Sequence, residues 1–135
     1  RLVRDWSSDV CSSDLSMVIS GAGAADRAGI REVAQETLRC LSSTVPAAVP
    51  GIAFLSGGQS DEEATQHLNA MNEIGGSLPW AVTFSYGRAL QAAAMKRWAG
   101  HSDNVESARQ VAFHRAQMNG AAALGQYSSE MEKAA

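Results

Sequence analysis

The 135-residue sequence predicts an α/β fold built on parallel strands. Three observations predict it. Strand-type and helix-type segments alternate along the chain. Two strand segments, residues 49–55 and 80–84, are continuous apolar runs, the pattern of strands covered on both faces. Each run stops abruptly in a small polar turn, Leu-Ser-Gly-Gly-Gln-Ser at 55–60 and Phe-Ser-Tyr-Gly-Arg at 84–88. The length suits one domain or less.

Residues 1–15, RLVRDWSSDVCSSDL, are unlike the rest. Ser-Ser-Asp occurs twice, and the segment has neither a strand nor a helix period. It reads as a disordered arm or as a non-native artefact, and it resembles a translated sequencing adapter joined to an open reading frame. It is set aside from the fold, and Cys11 with it. Residues 16–20, Ser-Met-Val-Ile-Ser, read as a strand stub, followed by a flexible Gly21-Ala-Gly-Ala loop. Over 26–41 the stripe Ile30, Val33, Ala34, Thr37, Leu38, Leu41 marks a helix with one buried face. Pro46 cannot continue it. Cys40 flanks the stripe as a small half-buried side chain. The two cysteines lie in unlike contexts, which argues against a disulfide framework or a cysteine-rich metal site.

The strand at 49–55 comes next. Ser60 and Glu63 have capping-box spacing and open a helix that buries Ala64, Leu68 and Met71. His67 reads as a surface or half-buried residue, since no second ligand is spaced to help it. Residues 75–79 form a loop, 80–84 a strand, and 88–98 a short helix stopped by Gly100. Asp103 and Glu106 repeat the capping-box spacing before a helix that reaches about Leu124 and ends at Gly125. His101 and His114 have no metal-type partner. Residues 128–135 read as a frayed tail. Strands alternating with helices imply right-handed crossovers. Two closures fit: an open doubly wound sheet, or part of a (β/α)8 barrel, of which three strands are about three-eighths and which needs about 250 residues when whole.

The two polar turns carry the chemistry. Ser56 and Ser85 offer hydroxyls. Gly57 and Gly58 let backbone N–H groups approach an anion with no Cβ in the way. Gly87 opens a short helix whose N-terminal amides favour negative charge, and Arg88 can grip phosphate oxygens with two charge-assisted bonds. A Ser-Gly-Gly turn alone is most simply a tight turn, and Arg88 alone a solvated helix residue. Their recurrence at equivalent points of successive βα units is what points to a phosphate site.

The runs VPAAVPGIAFLSGGQSDEEATQHLNAMN and LPWAVTFSYGRALQAAAMKRWAG resemble the C-terminal part of class I fructose-bisphosphate aldolase. The resemblance spans Ser16 to about Tyr127, roughly the last third of a family member. It implies strands 6–8 and their helices of an incomplete (β/α)8 TIM barrel. It also implies a metal-independent lyase without cofactor, acting in glycolysis and gluconeogenesis. That lyase splits fructose 1,6-bisphosphate into dihydroxyacetone phosphate and glyceraldehyde 3-phosphate through a lysine Schiff base. It further implies that Ser56, Gly57, Gly58, Ser85, Gly87 and Arg88 hold a substrate phosphate, and that the parent is a homotetramer.

The family's Schiff-base lysine lies in a Leu-Lys-Pro-Ser/Asn-Met-Val run. Ser16-Met17-Val18 matches its end, so the lysine belongs at position 14 and the proline at 15, where this chain has Asp14 and Leu15. Lys96 lies on the helix after the last strand and cannot substitute. No catalytic residue is therefore expected here, since the proton-handling carboxylates belong upstream. Some members carry a longer tail ending in a tyrosine; Tyr127 matches one before that tail and inherits no role from it. A net charge of −3 argues against a general nucleic-acid binder. No apolar run approaches the ~20 residues of a membrane helix, and the start has no secretory apolar segment, so the expected location is the cytoplasm. The rival readings are a non-catalytic phosphate-binding α/β module and another Schiff-base sugar-phosphate aldolase.

Overall fold

The computed structural model describes residues 12–134, with side chains for 15–133. Strands β1 (Ser12–Leu15), β2 (Gly51–Phe54) and β3 (Ala81–Phe84) form one parallel sheet in the order β1-β2-β3. Helix α1 (Ile30–Thr44) links β1 to β2, and α2 (Asp61–Gly75) links β2 to β3. Helices α3 (Arg88–Trp98) and α4 (Val105–Ala123) follow β3, with 3-10 turns at Ser102–Asn104 and Ser129–Ala134. Helices α1 and α2 pack side by side, so both crossovers run over the same face of the sheet.

The apolar runs explain the core. Ile52 and Phe54 of β2 are fully buried against Val33 of α1 and Leu68 and Met71 of α2. Helix α1 buries Val33, Ala34, Thr37, Leu38 and Leu41, the predicted stripe apart from half-buried Ile30. It starts four residues later than the spacing suggests and extends to Thr44. There the Ser43 and Thr44 hydroxyls bond back to the carbonyls of Arg39 and Cys40, at 2.9 and 2.8 Å, one turn earlier in the helix. Cys40 is exposed and unpaired, not half-buried.

Helix α4 ends as predicted. Gly125 is left-handed at φ +66°, Gln126 N–H donates to Ala121 O and Gly125 N–H to Ala122 O, the paired bonds of a glycine-terminated helix. Asn72 of α2 sits behind this end. Its amide donates to Val82 O at 3.3 Å and to Ala122 O at 3.1 Å, stitching α2, β3 and α4 together. The paired α3 and α4 leave Met95, Trp98 and Phe113 exposed.

Three further expectations need correction. The first strand lies at Ser12–Leu15, not at 16–20. Met17 is buried while Val18 turns outward, and Val18 N–H donates to the Thr37 hydroxyl at 2.9 Å, so 16–20 serves as a loop braced on α1. The capping box at Asp103 and Glu106 does not form. Asp103 lies inside a 3-10 turn and the cap residue, Asn104, makes no side-chain cap bond. The segment read as a frayed tail holds a 3-10 helix, Ser129–Ala134, docked on α4. Glu132 takes hydrogen bonds from Arg115 at 2.6 Å and Tyr127 at 3.1 Å, with the His114 Nε2 at 2.8 Å. Burial and the neighbouring Glu132 carboxylate push the Tyr127 hydroxyl up to about 12.

Candidate functional site

All three strands run the same way, so the turns after β2 and β3 leave the same edge of the sheet. Strands β2 and β3 are in direct register from Gly51↔Ala81 to Phe54↔Phe84. Ser85 N–H continues the ladder by donating to Phe54 O at 2.8 Å. The turns are therefore neighbours, and one bond joins them directly: Ala89 N–H, in the first turn of α3, donates to the Ser56 hydroxyl oxygen at 3.4 Å. Ser56 is buried. Its hydroxyl makes no donor bond to another described residue.

The turn after β2 closes when Gln59 N–H donates to Ser56 O at 3.1 Å. Gly57 and Gly58 are exposed at its tip, and neither amide is engaged by another described residue. Gly58 is left-handed at φ +76°, and a Cβ there would stand 3.2 Å from Ile19 Cδ1. Gly58→Ala is accordingly expected to lower stability by about 1–2 kcal/mol. Gly57→Ala, with no atom within 4 Å of an added Cβ, should change it by less than about 0.5 kcal/mol. Urea denaturation of the two variants checks this; equal losses would refute the conformational argument.

Two helix N-termini flank the turns, and they are not equivalent. Helix α2 is already satisfied. Its cap Ser60 and Glu63 exchange both bonds of the predicted capping box, at 3.2 and 2.8 Å. Asp61, Glu62 and Glu63 crowd its first turn. The Ser60 backbone N–H is the main reason the Glu63 carboxyl sits below its ordinary value. An anion gains little there. Helix α3 opens on Gly87, carries no side-chain cap and has no acid in its first turn. Exposed Arg88 is its first residue, and Arg88 makes no ion pair with another described residue. The positive end of α3, whose first residue is Arg88, thus lies beside the turn that holds Gly57 and Gly58.

The structure brings Ser56, Gly57, Gly58, Ser85, Gly87 and Arg88 to one edge, with Gly57, Gly58, Ser85, Gly87 and Arg88 exposed and Ser56 buried as the link. Sequence reasoning missed two supporting residues. Tyr86, buried beneath the turn, donates its hydroxyl to Ala64 O at 2.7 Å and packs on Phe84 at 5.5 Å between ring centroids. Burial pushes that hydroxyl's pKa well above its usual value. A tyrosine between Ser85 and Gly87, in an otherwise small polar turn, was the available signal. His67 is buried and pairs with Gln59, with Nδ1 2.6 Å from Oε1, and nothing in the spacing distinguished that from a surface histidine. Among the described residues no three His, Cys, Asp or Glu side chains cluster as metal ligands, and no helix is long and apolar enough to cross a membrane. Backbone position 14, held by Asp14, lies at the same strand-end edge, in β1.

The chain matches the family model described as fructose-bisphosphate aldolase class-I over residues 11–135. It is 54% identical over 113 residues to the probable fructose-bisphosphate aldolase class 1 of Xanthomonas campestris, covering 83% of this chain and 34% of that protein. It is 46% identical over 117 residues to cytosolic fructose-bisphosphate aldolase 4 of Arabidopsis thaliana, covering 87% of this chain and 30% of the other. Among solved structures it is similar to fructose-bisphosphate aldolase from Plasmodium falciparum, crystallised with TRAP and a small-molecule inhibitor. The TM-score is 0.82 at 46% identity, over 84% of this chain and 33% of that one. The chain spans about a third of the length of the relatives it matches.

Proposed function

The chain belongs to the class I fructose-bisphosphate aldolase family, and from that premise we propose that it is the phosphate-holding C-terminal third of such a lyase. In the parent, β2 and β3 are strands 7 and 8 of a (β/α)8 barrel, and β1 stands in the place of strand 6, its four residues falling within the segment read as foreign. Ser56, Gly57, Gly58, Ser85, Gly87 and Arg88 hold a phosphate of fructose 1,6-bisphosphate or of the triose phosphates it yields. The parent works in the cytoplasm as a homotetramer. The observation that supports the phosphate reading is the Ala89 N–H to Ser56 hydroxyl bond. It fixes the glycine turn against the one α-helix start, among the described residues, that carries a cation and no acid.

The chemistry follows from those parts. Amides of Gly57, Gly58 and Arg88 and the Ser85 hydroxyl present donors, and the Arg88 guanidinium supplies the charge. Gripping a phosphate remote from the bond being cut orients the ketone and contributes binding energy to the reaction. Residues 1–15 are read as foreign to the parent, and the DNA around codon 15 decides that: adapter sequence supports it, continuous coding sequence overturns it.

The phosphate site is tested by titrating the chain with inorganic phosphate and following amide shifts by NMR. Gly57, Gly58 and Arg88 are expected to move together. Arg88→Ala should weaken binding by about 1.5–3 kcal/mol, on the order of tenfold to a hundredfold. Unchanged affinity removes Arg88 from the site.

A further inference from the structure

Gly57 and Gly58 lie between two anchors. On one side, Ser56 is tied to α3 through Ala89 N–H. On the other, Gln59 is tied to the second turn of α2 through His67, Oε1 to Nδ1 at 2.6 Å. The peptide planes of the two glycines are set by what holds Ser56 and Gln59, because a glycine pair has no side chain to hold itself. We infer that His67 is a positioning residue for the anion-binding turn: it locks Gln59, and through Gln59 the direction of the Gly57 and Gly58 amides. This rests on the phosphate reading of that turn.

The hydrogen-bond inventory fixes the arrangement. A glutamine Oε1 only accepts, so the His67 Nδ1 must carry the proton. Its Nε2 is then a bare lone pair, buried and without a partner among the described residues, as is Gln59 Nε2. His67 is 5% exposed, so the ring cannot turn to water for relief. The charges facing it are Glu63 on its own helix and Arg27 in the loop before α1. Burial outweighs the pull of Glu63 and lowers the imidazole's affinity for a second proton, which favours the neutral ring.

Three measurements on the whole chain test this. Ring nitrogen NMR should find His67 as the Nδ1–H tautomer, and Gln59→Met should abolish that preference. Amide exchange at Gly58 and Gln59, without ligand, should speed about threefold to tenfold in Gln59→Met and in His67→Phe. It should be no faster in the double variant, because one bond is lost in all three. Phosphate affinity should fall by a similar factor, whereas Arg88→Ala should lower affinity and leave ligand-free exchange untouched. An Nε2–H tautomer, wild-type exchange in Gln59→Met, or additive effects in the double variant would overturn the inference. Wild-type chain that binds no phosphate, with the exchange results as expected, would instead remove the phosphate reading and leave the brace standing.

Discussion

No cleavage of fructose 1,6-bisphosphate is expected from the purified chain. The reaction begins with an uncharged amine adding to the substrate ketone, and expelling water leaves a protonated imine that draws electrons from the bond to be cut. On the proposed reading the amine belongs at position 14, where β1 brings the backbone to the strand-end edge, and the residue there is aspartate. A carboxylate cannot form an imine. The chain has two lysines. Lys96 is exposed in the last turn of α3, and Lys133 is paired with Glu130 at 2.9 Å in the C-terminal turn. Neither is at the strand ends that hold the turns. A coupled assay for triose phosphate should read background. Borohydride reduction with dihydroxyacetone phosphate should add no mass to the protein. Turnover of the order of a typical enzyme, about 10 s⁻¹, or a trapped adduct would overturn both the assignment of position 14 and the proposed truncation.

The largest stability loss is expected from Arg115→Met. Arg115 is buried at the junction of α2, α4 and the C-terminal turn. It donates to Glu132 at 2.6 Å, to the Thr65 hydroxyl at 2.7 Å and to Asp61 O at 3.2 Å. Thr65 in turn reaches buried Asn119 at 2.7 Å. Methionine fills much of the volume and answers none of these acceptors. Removing one partner of a buried ion pair costs about 3–5 kcal/mol. Glu132 is on a terminal turn and can swing to water, so the lower end, about 3 kcal/mol, is expected from urea denaturation. Acidity gives an independent check. Burial pushes the Glu132 carboxyl up, and the bonds from Arg115 and His114 outweigh it, so the folded carboxyl sits below its unfolded value. Its contribution is therefore complete above the unfolded value, about 4.3, and is lost as pH falls through the folded one. The stability gap between wild type and Arg115→Met should narrow across that acid range. A gap independent of pH would show that Glu132 is not the partner that matters.

How much could be read in advance depended on how local each cause was. The strands β2 and β3 were legible because a run such as Ile52-Ala-Phe54 carries its burial in its own letters. The first strand was not. The mostly polar Ser12-Ser-Asp-Leu15 is held in the sheet by pairing Ser12 with Ile52 and Leu15 with Phe54, some 40 residues away, a cause with no local signature. The two Ser/Asp-x-x-Glu spacings looked equivalent. Only Ser60 enters its helix in extended backbone, at ψ 168°, where its hydroxyl can reach Glu63 N–H, while Asp103 is already curled into a 3-10 turn. The turn residues of the site were adjacent in sequence and so were visible together. Gln59 and His67 were visible as letters, and their pairing was not. The Thr65–Arg115–Asn119 network joins residues about 50 positions apart and left no trace at all.

The sheet order repeats the chain order, β1 then β2 then β3. Each crossover therefore closes on a strand just laid down, and the entropy lost to loop closure grows in small steps. The exception is α4, which returns past α3 to reach α2 through Thr65 and Arg115. That return joins residues 50 positions apart, and such non-local joining is the slow part of a folding reaction. A nascent chain would thus have its glycine turns in place before the C-terminal helix arrives to close on α2 and α3, which makes α4 the element that commits the assembly.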